Sequence, residues 1–256
     1  MVSTLLHTAE NHTAIITINR PQVRNALNTQ FFYDLDAALK KVEDDPEVYV
    51  VVLTGAGDKA FSAGADLKEK LSQAGSGRSE TNIPSTIFAG HRGCKKIVIA
   101  AVNGVAYGAG CELALACDMM IASEDASFGV PQARLGIVAG GFLIRGPRNM
   151  PLKIAMEMCC TGEPITARRA YEIGMINKVV PKERLMIEAK ALAERVGKCA
   201  PLALRSAKEF LYLGLEIPSL EAANTINYRR YTEGSEDSRE GPLSFLEKRA
   251  PVWKGR

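Results

Sequence analysis

The chain has 256 residues, 46% of them apolar, with 32 basic and 29 acidic side chains and a formal net charge of +3. That length buries a full hydrophobic core as one large domain, or a domain with a small appendage. With 24% charged residues and so little net charge, composition excludes a disordered chain and supplies neither a nucleic-acid nor an anionic-membrane surface. Mean hydropathy is −0.03, and the absence of an apolar run near ~18 residues excludes a membrane-spanning helix. The first six residues lack a basic start and a long apolar stretch, so the expectation is a soluble, cytoplasmic protein without a secretory signal.

In chain order, residues 5–9 and 13–18 alternate around Glu10-Asn11-His12 and read as a β-hairpin that Pro21 ends. Phe31, Phe32, Leu35, Ala38, Leu39 and Val42 recur with helical spacing, so a helix is expected over residues 29–42 with Thr29 as its N-cap. Residues 48–53 form a β-branched run, expected as a buried strand. A glycine-rich loop follows to Asp66, then a short helix ending near Leu71. Residues 72–80 carry no apolar side chain beyond Ala74 and read as a mobile segment. Residues 97–102 and 119–122 are again short buried strands, with a helix between them beginning near Gly108. After Pro151 the pattern is helical over 152–160, 166–173, 182–196, 201–213, 219–231 and 235–248. Strands alternating with helices, then a helical tail, predict an α/β core over residues 1–200 and a helical region over 201–256.

The six cysteines, Cys94, Cys111, Cys117, Cys159, Cys160 and Cys199, include no C-x-x-C pair, and Cys159 and Cys160 read as small core side chains. His7 and His12 fall in the hairpin, and His91 with Cys94 makes half a metal site, so neither a metal centre nor a Ser-His-Asp triad is expected. Thr54-Gly55-Ala56-Gly57-Asp58-Lys59-Ala60 fits G-x-G-x-x-A, but no amphipathic helix opens after it, which argues against a dinucleotide site. Two segments carry the chemistry. Ala60-Phe61-Ser62-Ala63-Gly64-Ala65-Asp66-Leu67 and Asn103-Gly104-Val105-Ala106-Tyr107-Gly108-Ala109-Gly110-Cys111-Glu112 are small-residue loops, each leading from a strand into a helix. Amides at a helix start are free to donate, and glycine or alanine lets a ligand approach the backbone. Two such loops facing one oxygen make an oxyanion hole. Glu112, three residues after Ala109, lies on the same helical face; an acid there also complements the helix dipole without doing chemistry.

These two segments resemble those of the crotonase (enoyl-CoA hydratase/isomerase) superfamily. The similarity extends through Asn19-Arg20-Pro21-Gln22-Val23-Arg24-Asn25-Ala26-Leu27-Asn28, Ser127-Phe128-Gly129-Val130-Pro131-Gln132, Leu135-Gly136, Cys160-Thr161-Gly162 and Phe245-Leu246-Glu247-Lys248-Arg249. Residues 134–151 look most like bacterial hydratases of the carnitinyl-CoA dehydratase type. The resemblance implies a spiral of ββα turns with a helical C-terminal trimerisation region, assembled as a homotrimer or a hexamer of paired trimers. It implies an acyl-CoA thioester as substrate, with coenzyme A part of that substrate and no separate cofactor. By the same resemblance, the amides of Ala65 and Ala109 bind the thioester oxygen, while Arg24, Ala26, Ala63, Gly64, Ala65, Asp66 and Leu67 line CoA. Lys248 reaches CoA, on this subunit or an adjacent one. Glu112 matches the first of the two glutamates that hold water in ordinary hydratases; the second falls on Gln132, an amide that orients water without giving or taking a proton. Ala139-Gly140-Gly141 offers no aspartate or tyrosine of the kind other members use.

Three readings stay open on the residues alone. One is hydration or dehydration of a 2-enoyl-CoA, with Glu112 activating water. Another is single-base chemistry, either double-bond migration or thioester hydrolysis, since one carboxylate suffices for it. The last is a CoA-binding or RNA-associated protein without catalysis, which the near-zero charge and lack of a basic–aromatic patch disfavour. Other residues have structural readings beside functional ones: Tyr107 as acyl-pocket wall or core aromatic, Asp66 as adenine neighbour or helix cap. Lys68, Glu69 and Lys70 read as a solvated face, Arg145 and Arg148 as a CoA-phosphate or subunit contact, and Trp253 as exposed or interfacial.

Overall fold

Strands covered on both faces read as unbroken apolar runs, and the central strands of this protein do so for that reason. The computed structural model describes residues 3–74, 93–217, 227 and 229–256. The expected hairpin is β1 (Leu5–Glu10) paired antiparallel with β2 (Thr13–Ile18). Asn11 and His12, at φ 47° and 60°, make the tight turn. The His12 ring stacks on Tyr49 with centroids 4.4 Å apart, a structural role. After α1 (Thr29–Asp44) come β3 (Val50–Gly55), β4 (Ala60–Ser62) and α2 (Leu67–Ala74); then β5 (Ile97–Val102), β6 (Val105–Tyr107) and α3 (Ala109–Leu115). β7 (Met119–Ser123) and β8 (Ser127–Gly129) lead through a 3₁₀ turn (Pro131–Leu135) to α4 (Gly140–Asn149). The remainder is α5 (Leu152–Thr161), β9 (Ile165–Thr166), α6 (Ala167–Glu172), β10 (Lys178–Val180), α7 (Leu185–Gly197), α8 (Pro201–Gly214) and α9 (Glu236–Leu246).

The long strands form a six-stranded sheet in the order β1-β2-β3-β5-β7-β10, parallel from β2 onward. The short strands form a second sheet, β4-β6-β8-β9. Three successive turns, β3-β4-α2, β5-β6-α3 and β7-β8-α4, each place one strand in each sheet and then a helix, the ββα spiral that the sequence resemblance implies. Within β3 and β5, Val51, Leu53, Val98 and Ala100 face the main core, and Val50, Val52, Ile97 and Ile99 face α7. On α7, Leu185, Ala189 and Ala193 recur at a spacing of four; the alanines let the helix approach the sheet closely.

Several expectations are corrected. Asn28, not Thr29, caps α1: its side chain accepts from the Phe31 amide, and Thr29 is the first helical residue. Glu69 is not part of a solvated face, because its carboxylate accepts from the Thr29 amide and hydroxyl and ties α2 to the start of α1. Cys160 is exposed rather than in the core. The helix after Asp66 extends to Ala74, past the expected Leu71. The mobile segment expected over 72–80 falls outside the described residues from 75 onward, as do His91 and most of the helix expected over 219–231. Among the described residues, no helix is long and apolar enough to cross a membrane.

Two buried asparagines set the loops between the sheets. Asn103 donates to the carbonyls of Gly55 (2.9 Å), Gly57 (2.9 Å) and Ala60 (3.3 Å) and accepts from the Gly55 amide. Asn25 donates to Ala56 and Ala60 and accepts from the Arg20 amide. The Gly55–Gly57 turn is therefore a pinned crossover into β4, not the start of a nucleotide-binding helix. Asn103→Ala strands several buried polar groups and is expected to cost about 3 kcal/mol, measured by urea unfolding.

Candidate active site

Three loops converge at the start of α3. The first two lie side by side: the Ala63 amide donates to Arg24 O (2.9 Å), Leu27 to Gly64 O (2.8 Å) and Asp66 to Leu27 O (2.9 Å). This ladder brings Arg24, Ala26, Ala63, Gly64, Ala65, Asp66 and Leu67 into one strip. Arg24, at φ 52°, is exposed. Arg20 anchors the strip by bonding Ala26 O and pairing with Asp66 at 2.9 Å, both side chains largely covered. Asp66 also accepts from the Lys68 and Glu69 amides, so it caps α2. Burial pushes its carboxyl up, but the Arg20 hydrogen bond and charge and the two amides win, holding it below the usual aspartate range.

Gly64 joins this strip to α3. At φ +101° it adopts a backbone that side chains disfavour, and a Cβ there would lie 2.7 Å from Tyr107 O and 3.4 Å from the Ala109 nitrogen. The two loops are thus packed backbone to backbone. The amides of Ala65 and Ala109 donate to no protein acceptor among the described residues. Ala109 is the first residue of α3, where an amide has no helical partner. Two neighbouring free amides, one at a positive helix end, are suited to an anionic oxygen.

Glu112 lies one turn into α3, half-buried. Its carboxylate accepts from the backbone amides of Gly141 and Phe142 at the start of α4, and from Gln132 Nε2 at 3.0 Å. A Cβ at Gly141 would sit 2.7 Å from Glu112 Oε2, so a side chain there would displace the carboxylate from this position. Burial raises the Glu112 carboxyl above its ordinary range; the Phe142 and Gly141 amides and the Arg145 and Lys70 charges pull the other way without cancelling it. With Nε2 committed to Glu112, Gln132 Oε1 is buried and has no donor among the described residues. A base with a raised pKa beside an amide oxygen can take a proton from a hydroxyl that the amide orients.

The structure therefore groups Ala65, Ala109, Glu112 and Gln132 with the strip from Arg24 to Leu67. Lys248 is not brought there within this chain. It lies exposed in the turn after α9, at φ 55°, and the segment that follows bonds back to α9 and to the end of α7, as where the Val252 amide donates to Glu240 and Trp253 Nε1 donates to Lys198 O. Sequence reasoning missed Arg20 and the Gly141 and Phe142 amides. The Gly140-Gly141 pair was the available signal, since glycines at a helix start expose amides. Tyr107, half-buried, bonds Ser127 through its hydroxyl at 3.1 Å, and its carbonyl walls Gly64.

A model of the enoyl-CoA hydratase/isomerase family matches residues 8–256. Carnitinyl-CoA dehydratases of Escherichia coli (strain SMS-3-5) and Salmonella typhi are each 40% identical, over 271 and 270 residues, covering all of both chains. Among solved structures, an enoyl-CoA hydratase of Mycobacterium tuberculosis superposes with a TM-score of 0.91 at 33% identity, covering all of both chains. One from Bacillus anthracis gives 0.89 at 34%, covering 99% of this chain and 100% of its own.

Proposed function

Since the chain belongs to the enoyl-CoA hydratase/isomerase family, we propose that it adds water to, and removes it from, the C2–C3 bond of a 2-enoyl-CoA thioester. The observation that carries this is one half-buried glutamate beside two free, adjacent amides. In the hydration direction the amides of Ala65 and Ala109 hold the thioester oxygen. That draws electrons from C3 and stabilises the enolate formed as water attacks there. Glu112 takes the proton as the water oxygen bonds to C3. Returned to C2, the same proton collapses the enolate and completes addition of H and OH. Gln132 Oε1 accepts the other water hydrogen and fixes its direction of attack. Dehydration is the reverse. The relatives, which are hydratases and dehydratases, favour this over double-bond migration or thioester hydrolysis by a single base. In ¹⁸O-labelled water the product is expected to carry label at C3. Double-bond migration without oxygen uptake, or release of free CoA thiol, would overturn the assignment.

Arg24, Ala26 and the strip from Ala63 to Leu67 serve as the CoA edge of this site, and the reading calls on no cofactor beyond the substrate's own CoA. Residues 201–256 act as the oligomerisation region of a homotrimer or hexamer. Leu211, Phe245 and Leu246, at 73%, 82% and 76% exposed, are the kind of apolar surface that subunits cover. In such an assembly Lys248 approaches the CoA of a neighbouring subunit. Free thiols at Cys94, Cys111 and Cys117 fit a cytoplasmic enzyme.

Two further outcomes are expected. Glu112 must be ionised to accept a proton, and its carboxyl is raised. The acid limb of kcat against pH therefore lies above the ordinary glutamate value of about 4.3, with activity lost as pH falls through it. Gln132→Glu puts a second carboxyl about 3 Å from the first, so the pair holds a proton to higher pH and supplies a donor for C2. Stopped-flow hydration is expected to be faster by roughly tenfold; a slower variant would show that alignment of water by the amide matters more than an added donor for C2.

A further inference from the structure

A second concentration of cations lies away from Glu112, where the proposed reaction has no use for it. A cavity of about 240 Å³ opens between α8 and the segments around Lys95 and Tyr231. Its cations are Lys95, Arg205, Lys208 and Arg230, its acid is Glu209, and Leu213 and the Tyr231 ring provide apolar wall.

Two of the cations are committed. Lys208, almost wholly buried, pairs with Asp118 at 2.8 Å and donates to Lys96 O at 2.8 Å. Arg230 pairs with Glu209 and donates to the Tyr231 hydroxyl at 2.7 Å. Among the described residues, four cations thus face two carboxylates, Glu209 and Asp118, leaving a surplus of two positive charges on Lys95 and Arg205. The adjoining cavity shares Lys95 and Arg205 and adds Lys96, Lys254 and Glu43, which does not reduce the surplus.

Arg205 is held in an arrangement that suits an anion. Its guanidinium lies 4.3 Å over the Tyr231 ring, and that of Arg230 lies 4.7 Å from the same ring, so two like charges share one aromatic seat. Arg205 Nε is buried and has no acceptor among the described residues. A buried donor on a charged group left without a partner is costly, and a planar guanidinium is shaped to meet two oxygens at once. A surplus of two charges matches a phosphate group, which carries about −1.5 to −2 at neutral pH, better than a carboxylate.

We propose that this cavity is a second anion site, in which Arg205 and Lys95 hold a phosphate group against Tyr231. None of its residues takes part in the hydration chemistry, so the site stands or falls independently of the reaction assigned above. Calorimetric titration of the full chain with inorganic phosphate at low salt is expected to show one saturable site per chain. Arg205→Gln and Lys95→Gln are each expected to raise its Kd about tenfold, and Lys190→Gln, on a remote face, to leave it unchanged. Lys95 is exposed, so its variant carries the test even if Arg205→Gln misfolds. Competition with CoA and dephospho-CoA identifies the source. Displacement by CoA but not by dephospho-CoA assigns the site to the 3′-phosphate of a CoA molecule, and displacement by neither assigns it to free phosphate. Absence of phosphate binding, or binding that survives both substitutions unchanged, overturns the proposal.

Discussion

Replacing Glu112 by glutamine is expected to lower kcat for enoyl-CoA hydration by about 10²- to 10⁴-fold while the Kd for a CoA thioester stays within about twofold. The glutamine keeps the shape and can still accept from Gln132, but it cannot take a proton from water. The binding strip from Arg24 to Leu67 and the amides of Ala65 and Ala109 are untouched by the change. Stability supplies an independent reading. Burial raises the Glu112 carboxyl, so the folded state holds this proton more tightly than the unfolded chain does. The wild type then loses stability as pH rises from the ordinary glutamate value through the raised one. Glu112→Gln should lack that loss, which urea melts at several pH values would show. Turnover unchanged in the variant would remove Glu112 from the mechanism.

Ala109→Pro is expected to cost about 10²- to 10³-fold in kcat, the usual effect of deleting one oxyanion donor. Proline is tolerated at the first position of a helix, where the missing N–H had no intrahelical acceptor. The first helical bond of α3, from the Glu112 amide to Gly108 O at 3.0 Å, does not involve the Ala109 amide. Gly108 precedes it at φ 53° and, lacking Cβ, escapes the main clash that proline imposes on the residue before it. Ala109→Gly is the matching control: it keeps the amide and should stay within a fewfold of wild type. A melting temperature close to wild type for both variants, with turnover lost only in the proline one, isolates the N–H. Full activity in Ala109→Pro would mean that the oxygen is held elsewhere.

Much of the long-range frame was legible because it is periodic. Residues 50–53 and 97–102 are apolar throughout, as strands sandwiched between a core and α7 must be, and the spacing of Phe31, Leu35, Leu39 and Val42 marks the buried face of α1. The second sheet was not legible from pattern. β4, β6 and β8 have three residues each, too few to show alternation, and only the family resemblance implied them. The N-cap of α1 was misplaced by one residue because Asn28 and Thr29 both suit the position, and the choice depends on which side chain reaches the Phe31 amide.

The sequence by itself determined which atoms are available: two small-residue loops with amides left over at helix starts, one glutamate in the first turn of α3, and an amide where a second acid would make a carboxyl pair. Only the tertiary structure decided how they act on one another. Glu112 and Gln132 are twenty positions apart yet bonded at 3.0 Å. Gly64 sets the Ala65 strip against Ala109 by backbone contact, and Gly141 leaves room for a carboxylate over the start of α4. The physical reason is that helix and strand propensities are local, whereas a proton affinity depends on burial and on donors brought in from distant segments. That same dependence set Arg205 over Tyr231 with its Nε unbonded among the described residues, and put Lys95 on the same cavity wall, which no spacing along the chain foretells.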